Sequence, residues 1–242
     1  MAYHAGMDEP VAIITGAGSG IGRALALKIA DPGHRLVLVG RTEAKLTQAA
    51  EVIRDASEGA EPLVLAGDVR DAAFCQFVIR ETARQFGHVD VLANVAGHAP
   101  RCAIDQITPE LWRETVDTNL SAIVNLTAAV WPIFRERRRG FIVNISSLAS
   151  IDPLPGFAAY GAAKAGVNLF TLVAAREGAE FGIKAVCIAP GAVETPMLRG
   201  LFTHEDFPAD QCLSPEEVAQ TVVDCLTGRR SFESGTTITV CR

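Results

Sequence analysis

Apolar residues along the chain follow two alternating patterns. Seven short runs are apolar at nearly every position, and they span 11–15, 35–39, 62–66, 89–94, 140–146, 183–189 and 236–240. Runs of this kind are typical of parallel strands covered by helices on both faces. Between them, segments such as 42–56 and 71–86 carry apolar residues at helical spacing, which predicts amphipathic crossover helices.

Strand and helix alternate from one end of the chain to the other. With right-handed crossovers, this alternation predicts an α/β fold: a Rossmann-like, doubly wound, seven-stranded and mainly parallel sheet with helices on both faces. No linker, repeat or low-complexity stretch divides residues 1–242, so we expect a single domain.

One long segment, 196–213, lacks clear periodicity. Loops of this length in a compact domain are usually functional or mobile, and we interpret the segment as a lid over a substrate site. Directly after the lid, Ser214 and Pro215 have the character of an N-cap and a first-turn proline. Glu216 and Glu217 would then be favoured by the dipole of the helix that begins there.

The composition narrows the range of partners. Of the 242 residues, 49% are hydrophobic and 21% charged, and the net charge of −6 argues against nucleic acid or an anionic membrane as partner. The first ten residues have neither the basic start nor the apolar stretch of a signal peptide, and no apolar run is long enough for a membrane span. We therefore expect a cytoplasmic protein that acts on a small molecule.

The cysteines give no indication of a metal site. They form no CxxC pair and have no histidine at ligand spacing, so we expect no bound metal. Free thiols are the rule in a reducing compartment, which agrees with the cytoplasmic expectation. The six positions are Cys75, Cys102, Cys187, Cys212, Cys225 and Cys241.

A glycine-rich segment, 15-TGAGSGIG-22, follows the first strand and leads into a helical run. Such a turn lets the backbone approach a pyrophosphate, while the helix N-terminus offers unpaired N–H groups and a positive dipole end. The spacing is GxxxGxG rather than GxGxxG, and a turn without a ligand stays possible on this motif alone. The candidate cofactor-binding residues here are Thr15, Gly16, Ser19, Gly20, Ile21 and Gly22.

In dinucleotide-binding folds, the end of the second strand meets the adenosine ribose. An acidic residue there would bond the 2′-hydroxyl and repel a 2′-phosphate, but this chain has Gly40 followed by Arg41. A guanidinium matches a phosphate through paired charge-assisted hydrogen bonds, so NADP(H) is favoured over NAD(H). Glu43 keeps NAD(H) open, and the alternative for Arg41 is a solvated side chain at a helix start.

A tyrosine and a lysine form the candidate reactive pair. Tyr160 and Lys164 are four residues apart, so on a helix they share one face. A phenol with an ordinary pKa of about 10 exchanges protons poorly at neutral pH unless a cation stabilises its phenolate, and Lys164 supplies that cation. Alone, the pair could be a half-buried ring and a solvated amine. The upstream strand end with Ser146 and Ser147, together with the glycine turn, favours catalysis.

In order and spacing, these motifs resemble the short-chain dehydrogenase/reductase family over roughly residues 11–240. The resemblance implies a nicotinamide-dependent oxidoreductase with one dinucleotide-binding catalytic domain. It implies that Tyr160 is the general acid/base, that Ser147 hydrogen-bonds the substrate carbonyl and that Lys164 also holds the nicotinamide ribose. Ser147, thirteen residues before Tyr160, fits the family's interval better than Ser146. Asn119 matches the family's asparagine, which orders a water in a proton relay to the lysine.

The resemblance also implies further cofactor contacts after the third, fourth and sixth strands. The segment 67-GDV-69 would lie near the adenine, and 94-NVAG-97 corresponds to the family's NNAG, with Val95 in place of the second asparagine. The segment 190-PGAVETPM-197 would hold the carboxamide and phosphates. The implied cofactor-binding residues are Asp68, Val69, Asn94, Ala96, Gly97, Pro190, Gly191, Val193 and Thr195, together with Tyr160 and Lys164.

The expected reaction is hydride transfer between the cofactor and a carbonyl or secondary alcohol, with NADPH-dependent ketone reduction of the 3-oxoacyl type as the favoured form. One alternative is a non-catalytic NADP(H)-binding sensor or scaffold. Epimerases and dehydratases also share this fold, but they tend to have longer chains with a substrate domain.

Substrate selection and assembly are less determined by these motifs. The residues that select the substrate are expected in 97–105, 148–158 and the lid, whose apolar side chains indicate a partly apolar pocket. His98, Arg101 and His204 either bind an acidic group of the substrate or are ordinary surface residues. In the resembling enzymes, helices at 108–138 and 158–181 often build a tetramer. The resemblance therefore implies a homo-oligomer, a tetramer, and the ending ITVCR, without the family's Asp-Gly-Gly tail, keeps a dimer open as the alternative.

Overall fold

The strands form one sheet in which every pairing is parallel. The computed structural model describes residues 9–30, 34–57 and 59–242. Its strands are β1 (Val11–Thr15), β2 (Arg35–Gly40), β3 (Leu63–Ala66), β4 (Val91–Asn94), β5 (Gly140–Ile145), β6 (Ile183–Pro190) and β7 (Thr237–Val240), in the order β3-β2-β1-β4-β5-β6-β7. The predicted seven-stranded sheet is confirmed. The signal-peptide prediction falls mostly on residues 1–8, which lie outside the described residues.

Helices cover both faces of this sheet, which confirms the doubly wound prediction. Because the pleat alternates, Ile14 faces a core with Leu25 and Leu46, whereas Ile13 faces one with Leu126. The first face carries α1 (Gly20–Ile29), α2 (Glu43–Ala56) and α8 (Pro215–Thr227), and the second α3 (Ala72–Phe86), α5 (Ala122–Arg137) and α6 (Ala158–Gly178). Within the described ranges, no helix combines the length and apolar character that crossing a bilayer requires.

The strand order reverses between β1 and β4, which pair side by side. Open α/β sheets bind ligands in the crevice outside the carboxyl ends of the strands at this reversal. The glycine turn follows β1, the NVAG segment follows β4, and the serine pair follows β5. The topology therefore gathers the predicted motifs at one edge of the sheet.

The single helix predicted over 108–138 is interrupted. Its first part is α4 (Pro109–Val116), and a π-helical turn, Asp117–Ser121, separates α4 from α5. A π turn lengthens the hydrogen-bonded ring by one residue and is frequent at functional sites. Asn119 lies in this π turn and is fully buried. Its place in the predicted helix suggested an ordinary mid-helix residue, and the structure shows a different backbone there.

The predicted lid has more structure than a loop. It contains a short helix, α7 (Pro196–Arg199), and a 3₁₀ turn, Ala209–Gln211. Both of its ends are fixed, because Val193 and Leu213 form a parallel β-bridge. The segment is thus an excursion that leaves the end of β6 and returns to the same place.

The helix start predicted after the lid is confirmed. Ser214 is the N-cap of α8 and accepts a hydrogen bond from the Glu217 backbone N–H at 3.1 Å, while the Glu217 carboxylate accepts one from the Ser214 backbone N–H at 2.6 Å. This reciprocal pair is a capping box, and Pro215 takes the first helical position. The helix predicted at 158–181 is α6, which ends in a 3₁₀ turn, Ala179–Phe181.

Candidate active site

A cavity of about 520 Å³ opens at the carboxyl ends of the central strands, between the glycine turn and the lid. Most of the predicted site residues line it. They are Gly16, Ser19, Gly20, Ile21, Gly22, Ala96, Gly97, Ser147, Tyr160, Lys164, Pro190, Gly191, Val193 and Thr195. The structure places the remaining ones behind or beside the cavity wall, and these are Thr15, Arg41, Asp68, Val69, Asn94 and Asn119.

The turn after β1 requires glycine at two positions. Gly16 has a φ of +68°, and a Cβ there would lie 3.0 Å from the backbone N and Cα of Ala96. A Cβ on Gly22 would lie 2.3 Å from the carbonyl oxygen of Gly16. The turn is therefore packed against itself and against the residues that follow β4. At its glycines, the turn presents backbone without side chains to the cavity.

The N-terminus of α1 lies at the cavity, which Ser19 and the first helical residues line. Ser19, the N-cap residue, makes no side-chain capping hydrogen bond, and no acidic residue lies in the first turn. The helix start keeps its positive character, which suits a phosphate. Together with the close-packed glycines, these residues fit the diphosphate of a dinucleotide.

Two buried polar residues support the ends of β1 and β4 from behind. The Thr15 hydroxyl accepts hydrogen bonds from the backbone N–H groups of Val95 at 2.9 Å and Ala96 at 3.0 Å. The Asn94 amide donates to the Asn144 side chain of β5 at 2.8 Å. The Thr15 hydroxyl and the Asn94 amide nitrogen thus hold the strand ends in place, while the buried side-chain oxygen of Asn94 has no hydrogen-bond partner among the described residues.

Arg41 follows β2 and is exposed, next to the segment that follows β3. There Asp68 has a pKa below its ordinary value, mainly because the Arg70 side chain hydrogen-bonds it at 2.6 Å, and the Arg41 charge adds a smaller effect. Val69 is buried in the sheet core. The ends of β2 and β3 thus bring a cationic side chain to the place where the adenosine ribose is expected.

Asn119 clamps the loop that follows β4. Its side-chain amide donates to the carbonyl oxygens of His98 at 2.7 Å and Thr115 at 2.8 Å, and its side-chain oxygen accepts from the His98 N–H at 3.1 Å. A Cβ on Gly97 would lie 3.1 Å from that oxygen and 3.7 Å from Lys164 Nζ. The structure therefore brings Asn119 close to the lysine, with its polar atoms bonded to backbone.

Tyr160, Lys164 and Ser147 converge at the opposite end of the cavity from the glycine turn. Tyr160 and Lys164 lie on one face of α6, with Lys164 Nζ 5.8 Å from the centre of the Tyr160 ring. The amine donates to the Ile145 carbonyl oxygen at 2.7 Å. Ser147 is the N-cap of a 3₁₀ turn, Leu148–Ser150, and its hydroxyl accepts from the Ala149 N–H at 3.2 Å.

Burial controls the proton affinities of this group. It raises the pKa of Tyr160, and a hydrogen bond with Ser147 acts in the opposite direction. It lowers the pKa of Lys164 to about 8, because the charged amine loses its hydration. Ser146 is buried beside them, but its hydroxyl donates to the Lys164 carbonyl at 3.1 Å. Ser147 is therefore the serine that engages the tyrosine.

The segment after β6 connects the two ends of the cavity. The Gly191 N–H donates to the Val240 carbonyl at 2.9 Å, and Thr195 caps α7 by accepting from the Leu198 N–H at 3.3 Å. A Cβ on Gly20 would lie 3.1 Å from the Thr195 methyl group. The segment thus reaches back to the glycine turn, and both motifs line one cavity.

Aromatic rings form the substrate side of the cavity. The Phe157 ring lies 6.3 Å from the Tyr160 ring, edge to face, and 6.1 Å from the Phe202 ring of the lid. Arg101 lies over Phe202 at 5.5 Å, and His98 meets Asn119 only through its backbone. The partly apolar pocket expected from 148–158 and the lid is thus present around the tyrosine.

Two cavity-lining residues escaped the sequence analysis. Cys241 and Arg242 follow β7 and reach the cavity beside Gly191. The missed signal is topological: because β7 pairs in parallel with β6, whatever follows it emerges at the same edge as the segment after β6. Among the described residues, no group of histidine, cysteine and carboxylate side chains could hold a metal ion.

Fold and site together define a nicotinamide-dependent oxidoreductase that acts on CH–OH or C=O groups. A profile of the short chain dehydrogenase family matches residues 10–206. The chain therefore belongs to this family.

Similar proteins and structures agree with this assignment. An uncharacterized oxidoreductase of Staphylococcus epidermidis is 32% identical over 221 residues, which cover 91% of this chain and 92% of that protein. The 3-oxoacyl-[acyl-carrier-protein] reductase of the same species is 32% identical over 95% of this chain and 96% of its own. The crystal structure of a variant actinorhodin polyketide ketoreductase with NADPH is 31% identical, with a TM-score of 0.90 over 97% of this chain and 96% of that one.

The depressed pKa of Lys164 predicts a pH-dependent stability difference between the wild type and Lys164→Met. Between about pH 8 and the ordinary value of 10.5, the unfolded chain binds a proton that the folded chain does not. The free energy of unfolding of the wild type, minus that of the variant, should therefore rise with pH in this window and stay constant below it. Urea unfolding from about pH 7 to pH 10 measures the difference.

Groups far from Lys164, such as the Cys75 and Cys225 thiols, titrate alike in both proteins and cancel in this difference. Cys187 and Tyr160 lie beside Lys164, so the slope is compared below about pH 9, where burial keeps both groups protonated in the folded protein. A difference that stays flat or falls across the window would contradict the predicted burial of the charged amine.

Proposed function

We propose that the protein is an NADPH-dependent ketone reductase of the 3-oxoacyl reductase type. The carrying observation is that Tyr160, Ser147 and Lys164 line one end of a cavity whose other end is the glycine turn. The apolar and aromatic wall next to Tyr160 supports a substrate with an apolar body. The relatives named as 3-oxoacyl and polyketide ketoreductases support the reaction type.

In this proposal the protein's own groups place the carbonyl oxygen and deliver a proton to it. Ser147 donates a hydrogen bond that orients the oxygen, and Tyr160 transfers its phenolic proton to it as general acid. Lys164 supplies positive charge that stabilises the phenolate left behind. Bound nicotinamide supplies the hydride for the carbonyl carbon. In the opposite direction, the same groups would oxidise a secondary alcohol.

The remaining predicted residues would hold the cofactor. We assign the diphosphate to the glycine turn and Thr195, the nicotinamide end to Lys164 and the segment after β6, and the ordering of a water to Asn119. The exposed Arg41, with no acidic residue at the end of β2, supports recognition of a 2′-phosphate.

Removal of the Tyr160 hydroxyl tests the reaction. Tyr160→Phe should lower kcat for ketone reduction by at least about a hundredfold, because general acid catalysis is lost, with cofactor affinity nearly unchanged. NADPH oxidation with a panel of ketones measures turnover, and cofactor fluorescence measures binding. Thr227→Val is a matched control, since it removes a hydroxyl that only bonds its own helix at Val223.

Retained activity in Tyr160→Phe would overturn the assignment of the general acid. A wild-type protein that binds NADPH but turns over no carbonyl or alcohol in the panel would support the sensor or scaffold alternative instead.

Loss of the Arg41 guanidinium tests the cofactor preference. Arg41→Ala should raise the Kd for NADPH about ten- to a hundredfold and leave that for NADH nearly unchanged, because only NADPH carries the 2′-phosphate. Arg54→Ala on α2, the helix that follows Arg41, is the control, since Arg54 is exposed and paired with Glu61. An equal change in both dissociation constants would reject recognition of the phosphate by Arg41.

We also propose that the protein is a homo-oligomer, a tetramer or else a dimer, and that it is one cytoplasmic domain. Apolar side chains are exposed on two adjacent helices: Trp112 of α4 is 45% exposed, and Leu169 and Val173 of α6 are 64% and 41% exposed. The six cysteines are all free, as expected in a reducing compartment.

A charge on this face tests the assembly. Leu169→Asp should shift the mass in sedimentation velocity from that of the oligomer toward that of the monomer, because it buries a carboxylate at the interface. Phe77→Asp on α3, where Phe77 is 41% exposed, is the control for an acidic substitution elsewhere. An oligomer that forms equally well in Leu169→Asp would place the interface on another surface.

A further inference from the structure

The catalytic face of α6 continues one turn beyond the lysine. Tyr160, Lys164 and Asn168 follow one another at intervals of four residues, so they form a row along the helix. Each contacts the end of β5 or the segment that follows it: Lys164 bonds the Ile145 carbonyl, Tyr160 meets Ser147, and Asn168 bonds Ser150. Asn168 and Ser150 lie outside the cavity lining, behind the residues that face the cavity on this side.

A short chain of hydrogen bonds runs from Asn168 to the backbone of the catalytic serine. The Asn168 amide donates to the Ser150 hydroxyl at 2.8 Å, and that hydroxyl donates to the Ser147 carbonyl oxygen at 2.6 Å. The Ser146 hydroxyl lies 3.3 Å from the same Ser150 oxygen. Ser150 therefore uses its one proton on Ser147 and accepts the Asn168 amide proton with a lone pair.

The other half of the Asn168 amide is also fixed. Its oxygen accepts from the thiol of Cys187, a fully buried residue of β6, at 3.3 Å. The thiol proton can be accepted only by the oxygen of the amide. This contact, although weak, therefore leaves the amide nitrogen facing Ser150. The hydrogen-bond chain thus runs from β6 through α6 to the turn that carries Ser147.

We propose that Asn168 is a positioning residue for the carbonyl reduction: through Ser150 it holds the Ser147 backbone so that the Ser147 hydroxyl meets the substrate oxygen beside Tyr160. The requirement is geometric, since displacement of a catalytic group by about 1 Å can lower a rate by about a hundredfold. This inference rests on the proposed function.

Asn168→Ala tests the role, and alanine is a good helix former that should leave α6 intact. We expect kcat for ketone reduction to fall by about tenfold to a hundredfold, with the KM and Kd for NADPH unchanged. Asn125→Ala is the matched control, because Asn125 is a half-buried asparagine on α5 outside this hydrogen-bond chain. Thermal unfolding compares the folding of all variants.

A pair of variants at Ser150 tests the same hydrogen-bond chain without changing Asn168. Ser150→Ala should lower kcat as Asn168→Ala does, whereas Ser150→Thr, which keeps the hydroxyl, should retain most of the wild-type kcat. The double variant Asn168→Ala/Ser150→Ala should be no slower than either single variant, because the two residues act through one hydrogen-bond chain.

Unchanged kcat in Asn168→Ala, or an equal loss in Ser150→Ala and Ser150→Thr, would overturn the positioning role. If the wild type is active and Tyr160→Phe is not, such a result leaves the proposed function standing. A wild type without turnover on the ketone panel would overturn the proposed function and the positioning role with it.

Discussion

The buried amine of Lys164 donates to the Ile145 carbonyl at the end of β5, and this contact joins α6 to the sheet at the point where the reacting groups meet. A lysine 2% exposed would cost stability unless it were hydrogen-bonded, so the contact constrains the position of the helix along its axis. The same constraint fixes Tyr160 one turn earlier and Asn168 one turn later. The reactive end of the cavity therefore depends on one helix held at one strand end.

The other end of the cavity depends on the absence of side chains. Gly16 and Gly22 leave no room for a Cβ, and the turn they form is held to β4 by the Thr15 hydroxyl. Close packing at this end and hydrogen bonding at the other keep the two halves in a fixed relation. Such a relation is what a hydride transfer requires, because the nicotinamide and the carbonyl must approach in one geometry.

The sequence predicted the strands and the proximity of Tyr160 and Lys164 well, because both rest on local spacing. It could not predict the π turn at Asn119, since one extra residue in a hydrogen-bonded ring leaves little trace in helical periodicity. The chain from Cys187 through Asn168 to Ser150 was also out of reach. These hydrogen bonds connect Cys187 with Ser150, which are 37 positions apart, and only the tertiary fold brings such side chains together.

Burial has opposite effects on the pKa values of Tyr160 and Lys164, and in the proposed reaction the combination favours reduction. It raises the pKa of Tyr160 and lowers that of Lys164 to about 8. At neutral pH the phenol therefore keeps its proton, which is the form that can protonate a carbonyl oxygen, and the amine is still mostly charged. Alcohol oxidation needs the phenolate instead, so it is favoured only as the pH rises. In the proposed reaction, the same desolvation of Tyr160 and Lys164 thus favours ketone reduction over alcohol oxidation at neutral pH.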